Sequence, residues 1–327
     1  MNKARILITG GSGFIGTNAV DRALVLGFDI LSIDVRQPKN LNHSQIFKQV
    51  DLKNLDALKK VFQQFKPNLV LHLAARTDLG GSKLQDYEDN VHAVRNLCRV
   101  LIDTPSVESV VFASSMLVCS AGDMPKYSDH YSPSTVYGES KVEMENIIRE
   151  FCDDFPFAWT TVRPTSIWGP WFEEPYKNFF YRVMNGSYFL IGERASVKTY
   201  GYVGNAVNQM FSCLVAGVNF GLGPKYLGDS LPMSADDWAI KISSVAGVKM
   251  PSSLPWWVLS SAAVVGDLLA IFSIKFPMTT FRLNNMTTDN VIEPEMLLEL
   301  ENIYSPVSLQ EGIAETLAWL KFMKLGQ

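Results

Sequence analysis

Cysteine is scarce in this 327-residue chain: Cys98, Cys119, Cys152 and Cys213 lie far apart, and no two share a metal-ligand spacing. That excludes a disulfide framework and a cysteine-based metal site, and fits free thiols in a reducing compartment, for which the cytoplasm is the simplest reading. A basic excess is also missing, since 29 Lys and Arg stand against 33 Asp and Glu, a net charge of −4. With a sequence pI near 5.7, nothing neutralises a phosphate backbone, and nucleic acid is not an expected partner. Met1 leads straight into Ala4-Arg5-Ile6-Leu7-Ile8-Thr9, so no secretory signal is expected. No transmembrane segment is expected either: the most apolar stretch, Trp256 to Phe276, is broken by Asp267, Lys275 and several serines. It reads as a helix buried in a second lobe or lying on it, with contact to a membrane surface as the alternative. Internal repeats and low-complexity tracts are absent.

Apolar residues make up 47% of the chain, enough for a large core. The first half alternates β-branched runs with amphipathic runs, the pattern of βαβ units feeding a parallel sheet. Strands are predicted at 5–9, 29–33, 46–50, 68–73, 108–113 and 157–163, and helices at 14–26, 54–65, 87–101 and 136–151. The fold class is therefore α/β, a Rossmann-type doubly wound parallel sheet. After Arg163-Pro164 the character changes, with Pro and aromatics clustered at Trp168-Gly169-Pro170-Trp171 and from Tyr176 to Tyr181. We place a dinucleotide-binding domain over 1–165 and a smaller substrate-binding lobe over 166–327, with some of its segments returning to the core. A last helix is predicted from Val307 to Lys324, with Ser308 as N-cap and Glu311 three residues on.

Gly10, Gly13 and Gly16, in Gly10-Gly11-Ser12-Gly13-Phe14-Ile15-Gly16, follow a predicted strand and open a predicted helix. Glycine permits a tight turn and close approach of pyrophosphate, and the helix N-terminus offers free N–H donors at a positive dipole end. The next strand ends in Asp34, eighteen residues after Gly16, where a carboxylate can accept from both adenosine ribose hydroxyls. Its charge disfavours a 2′-phosphate and selects NAD. Arg36, two residues on, is the argument for NADP as the alternative cofactor.

This glycine loop resembles that of the extended short-chain dehydrogenase/reductase superfamily, also called the NAD-dependent epimerase/dehydratase family, and the similarity runs through the chain. The resemblance implies an adenine contact at Val50-Asp51-Leu52, with Asp51 accepting from the adenine amino group. His72-Leu73-Ala74-Ala75 is similar to the strand end beneath the cofactor, so Leu73, Ala74 and Ala75 are cofactor contacts, while His72 itself reads as a strand-end residue satisfied by backbone. Asn90, in Asn90-Val91, matches a helix-borne asparagine near the active site.

Tyr137-Gly138-Glu139-Ser140-Lys141 spaces Tyr137 and Lys141 four apart, on one face of a helix. The resemblance makes Tyr137 the acid/base. Lys141 and an oxidised nicotinamide ring would both favour its phenolate, and Lys141 would also hold the nicotinamide ribose. In Phe112-Ala113-Ser114-Ser115-Met116-Leu117, Ser115 matches the family's catalytic Ser/Thr, 22 residues before Tyr137, and Ser114 its neighbour on the cofactor side. Ser115 would donate to the substrate oxygen during hydride transfer.

Arg163-Pro164-Thr165-Ser166-Ile167-Trp168-Gly169-Pro170 resembles the family segment that leads into the substrate site of nucleotide-sugar enzymes. Arg163 and Pro164 are carried over as cofactor contacts, Thr165 and Ser166 as substrate contacts. Tyr188-Phe189-Leu190-Ile191-Gly192 looks like the stretch flanking a nucleotide base. In Lys198-Thr199-Tyr200-Gly201-Tyr202-Val203-Gly204-Asn205 the chain departs from pattern, with Lys198 where an arginine commonly grips pyrophosphate and Asn205 where aspartate is usual. Arg282 is a second cation for that phosphate. A further departure bears on chemistry: Met116 and Leu117 stand where 4,6-dehydratases carry an acid pair.

The expected function is NAD-dependent epimerisation or keto reduction at C4 of a nucleotide sugar, without dehydration and without a metal. Two alternatives stay open: a 3β-hydroxysteroid-type or other hydrophobic alcohol dehydrogenase, suggested by Pro255-Trp256-Trp257 and the apolar run after it, and a non-catalytic NAD(P)-sensing protein. The resemblance also implies a homodimer through the helices carrying Asn90 and Tyr137.

Overall fold

Strand β1 (Arg5–Thr9) has Ile6 and Ile8 on one side and Leu7 on the other, and all three are fully buried, so both faces of the sheet it joins are covered. The computed structural model describes residues 3–325 except 124, 126, 128, 218–224, 230, 273, 275, 277, 278 and 299–305. The other predicted strands form within one residue of their expected ends: β2 (Asp29–Asp34), β3 (Phe47–Gln49), β4 (Leu69–His72), β5 (Ser109–Ala113) and β6 (Ala158–Pro164). The connecting helices α1 (Phe14–Val25), α2 (Leu55–Phe65), α3 (Glu88–Ile102) and α4 (Val136–Phe151) agree equally well. Asn54 caps α2 by accepting from Ala57 N at 3.0 Å, and Thr135 caps α4 by accepting from Gly138 N at 3.0 Å.

The rest of the chain holds β7 (Ser166–Trp168), α5 (Tyr176–Met184), β8 (Phe189–Leu190), β9 (Val197–Lys198), β10 (Tyr200–Tyr202) and α6 (Val203–Ala216). Then come β11 (Lys225–Leu227), β12 (Met233–Ser234), α7 (Ala235–Ala246), β13 (Ser252–Ser253), α8 (Trp256–Ile271), α9 (Thr280–Thr287) and α10 (Leu309–Leu325). The central sheet is seven-stranded and parallel, in the order β11-β6-β5-β4-β1-β2-β3. Its seventh strand, β11, was not predicted. It pairs with β6 across about sixty residues of sequence, a long-range event with no local pattern.

One face packs Ile6, Ile8 and Leu71 against α1 and α6, and the other packs Leu7, Val70 and Val110 against α2, α3 and α4. Helix α6 belongs to the second half of the chain, so the first face is completed from beyond residue 200. The aromatics flagged in the sequence converge on Trp238 of α7. Its ring lies 4.5 Å from that of Tyr200, 4.8 Å from Phe179 and 5.4 Å from Trp168, centroid to centroid.

At the C-terminus Ser308 and Glu311 form the expected reciprocal cap, Ser308 N donating to Glu311 Oε2 at 2.9 Å and Glu311 N to Ser308 Oγ at 3.3 Å. Helix α8 (Trp256–Ile271) lies on the surface, one of the two readings expected of its segment. Leu259, Ala263 and Gly266 are buried, but Trp257, Val264, Leu268 and Ile271 face outward. Among the described residues no helix is long and apolar enough to cross a membrane, and no cluster of His, Cys, Asp and Glu is placed to hold a metal ion. All four cysteines are free.

Trp238 is 1% exposed, and replacing it leaves a cavity ringed by aromatics that cannot collapse into it. Trp238→Ala is expected to cost about 3–5 kcal/mol in chemical denaturation, with native secondary structure retained below the transition.

Candidate active site

Strand order reverses between β1 and β4: β1 leads through α1 to β2 on one side, while β4 leads to β5 on the other. Open α/β sheets bind ligands in the crevice this leaves at the C-terminal strand ends. Gly10 sits there with φ of +72°, and a Cβ on it would lie 2.5 Å from Ala74 N. At Gly16 a Cβ would lie 2.0 Å from the Gly10 carbonyl oxygen. Both clashes are with main chain, so these glycines are required by contact, and Gly10 by its conformation as well. Thr9 Oγ1 accepts from Leu73 N and Ala74 N, each at 3.2 Å, which clasps the Leu73-Ala74-Ala75 end of β4 to the glycine loop. The same hydroxyl meets His72 Nδ1 at 2.8 Å. Burial, then the charge of Lys141, pushes His72 down to about 3, so it is neutral. His72 is thus a strand-end histidine whose Nδ1 is met by a side chain rather than by backbone, while its Nε2 is buried without a hydrogen-bond partner.

Asp34 is 8% exposed at the tip of β2. Its Oδ2 accepts from Ser12 N at 3.1 Å and its Oδ1 from Arg36 N at 3.0 Å, and Ser12 Oγ donates to Arg36 O at 2.8 Å. Each carboxylate oxygen keeps acceptor capacity beside the loop, which suits a ribose diol. The Arg36 side chain is 64% exposed, its Nε 3.9 Å from Asp34 Oδ1. Phe14 and Ile15 are half-buried at the start of α1; Leu52 is buried, and Asp51 is exposed and accepts from Lys53 N at 2.9 Å. Ser114 Oγ is buried without a hydrogen-bond partner at the end of β5. A glycine cradle, free helix N–H groups, an acceptor carboxylate and a waiting hydroxyl together fit a dinucleotide.

Ser115, Tyr137 and Lys141 come together at the ends of β5 and α4, 8%, 7% and 2% exposed. Ser115 Oγ accepts from Leu117 N at 3.1 Å, which leaves its own O–H available to donate. Gly138 is obligatory here because a Cβ would lie 2.2 Å from the Leu117 carbonyl oxygen, so α4 docks directly on the Ser115 segment. Lys141 Nζ donates to Ala113 O at 3.0 Å and approaches Met144 Sδ at 3.3 Å. The tuning expected from the four-residue spacing is not what the protein's own groups produce. Burial dominates and pushes Tyr137 up to about 12, against a smaller pull from Ser115. Lys141 is driven down to about 8 by burial, with Glu145 opposing.

Several carried-over residues have other work. Arg163 is fully buried: Nε and an Nη donate to Glu145 at 3.0 and 2.8 Å, and the other Nη donates to Tyr226 Oη at 3.0 Å. Tyr131 and Tyr226 also flank its guanidinium. This corrects the expectation for Arg163, whose charge belongs to a buried pair; a cofactor contact from 163–164 would come from the main chain or Pro164. Asn90 is a brace: it accepts from Arg76 N at 2.8 Å, donates to Arg76 O at 3.0 Å and donates to Ser140 Oγ at 2.8 Å. It fixes the loop after β4 to α4.

On the lobe side, Thr165 Oγ1 donates to Leu227 O at 2.7 Å, and Ser166 is half-buried in β7. Lys198 is half-buried, its pKa lowered by burial with Asp289 opposing. Arg282 is on α9, with its side chain outside the described residues. Asn205 bonds Asp229 Oδ1 at 2.9 Å, and with Val307 it donates to the carbonyl at 2.9 Å and accepts from the N–H at 2.8 Å. The residue that departs from pattern therefore ties α6 to the entry of α10. Asp236 was missed: its carboxylate accepts from Tyr188 Oη and from the N–H groups of Ile191 and Gly192, fixing the 188–192 segment. Its only sequence signal was an acid in the first turn of a helix.

Two outcomes follow. Gly16→Ala is expected to weaken NAD binding by more than about tenfold in a fluorescence titration, because the loop must open by a main-chain shift costing over about 1.4 kcal/mol. For Lys141, a folded pKa of about 8 against an ordinary 10.5 means that its charge costs stability below pH 8, and the cost fades as pH rises towards 10.5. Lys141→Met should therefore raise the Tm of cofactor-free protein at pH 7, and the gain should shrink between pH 8 and 10.5.

Comparison with known proteins agrees with this geometry. Residues 6–219 match the model of the NAD dependent epimerase/dehydratase family. The N-acetyl-alpha-D-glucosaminyl-diphospho-ditrans,octacis-undecaprenol 4-epimerase of Escherichia coli O157:H7 is 23% identical over 319 residues, 96% of this chain and 94% of that protein. A 3-beta-hydroxysteroid dehydrogenase of Mycolicibacterium neoaurum is 26% identical, with 76% of this chain and 72% of that one covered. UDP-glucose 4-epimerases of rice and Drosophila melanogaster are matched over less than half their length, 40% and 48%. In fold, the Thermus thermophilus UDP-glucose 4-epimerase in complex with NAD superposes with a TM-score of 0.72 at 22% identity, covering 97% of this chain and 99% of that one. With the sheet order, the glycine cradle and Asp34 in agreement with that match, the chain belongs to the NAD dependent epimerase/dehydratase family.

Proposed function

We propose that the protein is a 4-epimerase or 4-keto reductase acting on a nucleotide sugar. The observation that carries this reading is the convergence of the buried Ser115, Tyr137 and Lys141 at the ends of β5 and α4, beside the dinucleotide cradle. Bound NAD supplies the hydride acceptor and donor, and its oxidised ring the positive charge that draws the Tyr137 phenol below its buried value. Tyr137 takes the proton from the sugar hydroxyl as the carbonyl forms and returns it on reduction. Ser115 donates to the same oxygen and so stabilises the charge that develops there. Lys141, buried and four residues along α4, keeps a cation near the phenol and holds the cofactor ribose. Asp34 accepts from the adenosine ribose and repels a 2′-phosphate, which makes NAD rather than NADP the cofactor.

Dehydration is not part of this reading. Met116 and Leu117 pack with Tyr226, Ile292 and Leu297, so the positions that would carry an acid pair are apolar. Thr165, Ser166, Lys198 and Arg282 are assigned to the substrate, and the outer faces of α3 and α4 to a homodimer in the cytoplasm. The E. coli relative, named for a sugar on undecaprenyl diphosphate, makes a lipid diphosphate the other carrier to test. A hydrophobic alcohol or steroid dehydrogenase is the second reading, favoured by the exposed apolar side of α8 and by the mycobacterial relative's name.

Incubation with NAD and UDP-glucose, UDP-N-acetylglucosamine or a polyprenyl-diphosphate sugar, followed by NMR, is expected to give the C4 epimer. A 4-keto-6-deoxy product would sink the no-dehydration reading, and turnover of sterols alone would favour the second. Tyr137→Phe is expected to lower turnover by about 10²–10⁴-fold with NAD binding unchanged; full activity would refute its role.

A further inference from the structure

Helix α8 lacks the polar face that a helix on a protein surface normally turns to water. Trp257, Val264, Leu268 and Ile271 form one stripe, 69%, 57%, 56% and 75% exposed, opposite the buried stripe of Leu259, Ala263 and Gly266. Phe272 and Ile274, 74% and 52% exposed, extend the same surface beyond the helix. Monomeric soluble proteins rarely leave so continuous an apolar patch uncovered. The helix has one carboxylate, Asp267, and it accepts from Thr280 N at 3.1 Å, so it is tied to the segment behind.

Charge identifies what covers the patch. Residues 249–282 contain Lys249, Lys275 and Arg282 against Asp267 alone, a net charge of +2 within a chain of −4. At the N-terminal end of the helix the exposed Arg194 stacks its guanidinium 4.4 Å over the Trp256 ring. A two-fold contact through this patch would bring the exposed Arg194 of each copy into one interface, whereas an anionic surface complements it. At 16 residues α8 is about 24 Å long, short of the ~30 Å hydrocarbon core, so it can lie in a bilayer surface but cannot cross it.

We infer that α8 seats the protein on an anionic lipid bilayer, with Trp257, Val264, Leu268, Ile271 and Phe272 in the headgroup boundary and Arg194 and Lys249 against the lipid phosphates. This inference concerns a surface and is independent of the sugar reading. Ile191 and Ala195, just after β8, pack against Leu259 and Ala263, so α8 shares a wall with the segment that Asp236 fixes. The lobe that carries the substrate residues thereby faces the membrane.

The full chain is tested by co-sedimentation with vesicles of phosphatidylcholine alone or mixed with phosphatidylglycerol, and by quenching of tryptophan fluorescence with brominated phosphatidylcholine in the mixed vesicles. Binding is expected to the phosphatidylglycerol vesicles, with quenching that falls in Trp257→Phe. Leu268→Ser/Ile271→Ser is expected to bind at least about tenfold more weakly, because both changes take apolar surface out of the headgroup boundary, with NAD affinity unchanged. The inference is overturned if the wild-type chain stays in the supernatant with both vesicles. It is equally overturned if the double variant sediments as well as wild type, or if the variant's only change is conversion of a dimer to a monomer in gel filtration.

Discussion

The site depends on one close approach of main chain to main chain, where the turn after β1 lies against the end of β4. Gly10 has no side chain to hold them apart, and the Thr9 hydroxyl, accepting two N–H groups from the far strand, keeps them together. Because the strands diverge in connection at this point, the contact opens a crevice with helix N–H groups on one side and the end of β5 on the other. Asp34, Ser114 and the Ser115–Tyr137 pair are all placed relative to that seam.

Behind the seam, the charges are ordered by burial. Lys141, Glu145 and Arg163 alternate in sign and are almost wholly withdrawn from water. Glu145 is held by Arg163 and offsets part of the desolvation that lowers Lys141. A buried pair of this kind adds little net stability, but removing one partner strands the other. Its use here is positional: it joins β6 to α4 one turn beyond Lys141.

Much of this was legible in the sequence, because the relevant signals are local. Six strands and four helices declare themselves by periodicity, and Gly10, Gly13, Gly16 and Asp34 by their place after strands. Ser115, Tyr137 and Lys141 needed the family pattern to be set apart from an ordinary amphipathic helix. What stayed hidden was long-range or depended on burial. Strand β11 is three residues long and pairs across a distant segment; Arg163 looked free because its partner Glu145 reads as one more polar helix position; Asp236 looked like any first-turn acid. Burial, which sets the opposed pKa shifts of Tyr137 and Lys141, has no sequence signature at single residues. Helix α8 is apolar on all sides, so no periodicity tells its buried stripe from its exposed one.

The contact of Gly138 with the Leu117 carbonyl has a further consequence. The spacing between Ser115 and Tyr137 is set by backbone resting on backbone, so the side chains of residues 116 and 117 carry none of that alignment. Met116 and Leu117 fill a small apolar cluster with Tyr226, Ile292 and Leu297 on a mount that the backbone fixes. A lineage, or an engineer, can replace the reaction's auxiliary groups at these two positions while the hydroxyl pair stays where it is. One scaffold can in this way diversify its chemistry without rebuilding its active site.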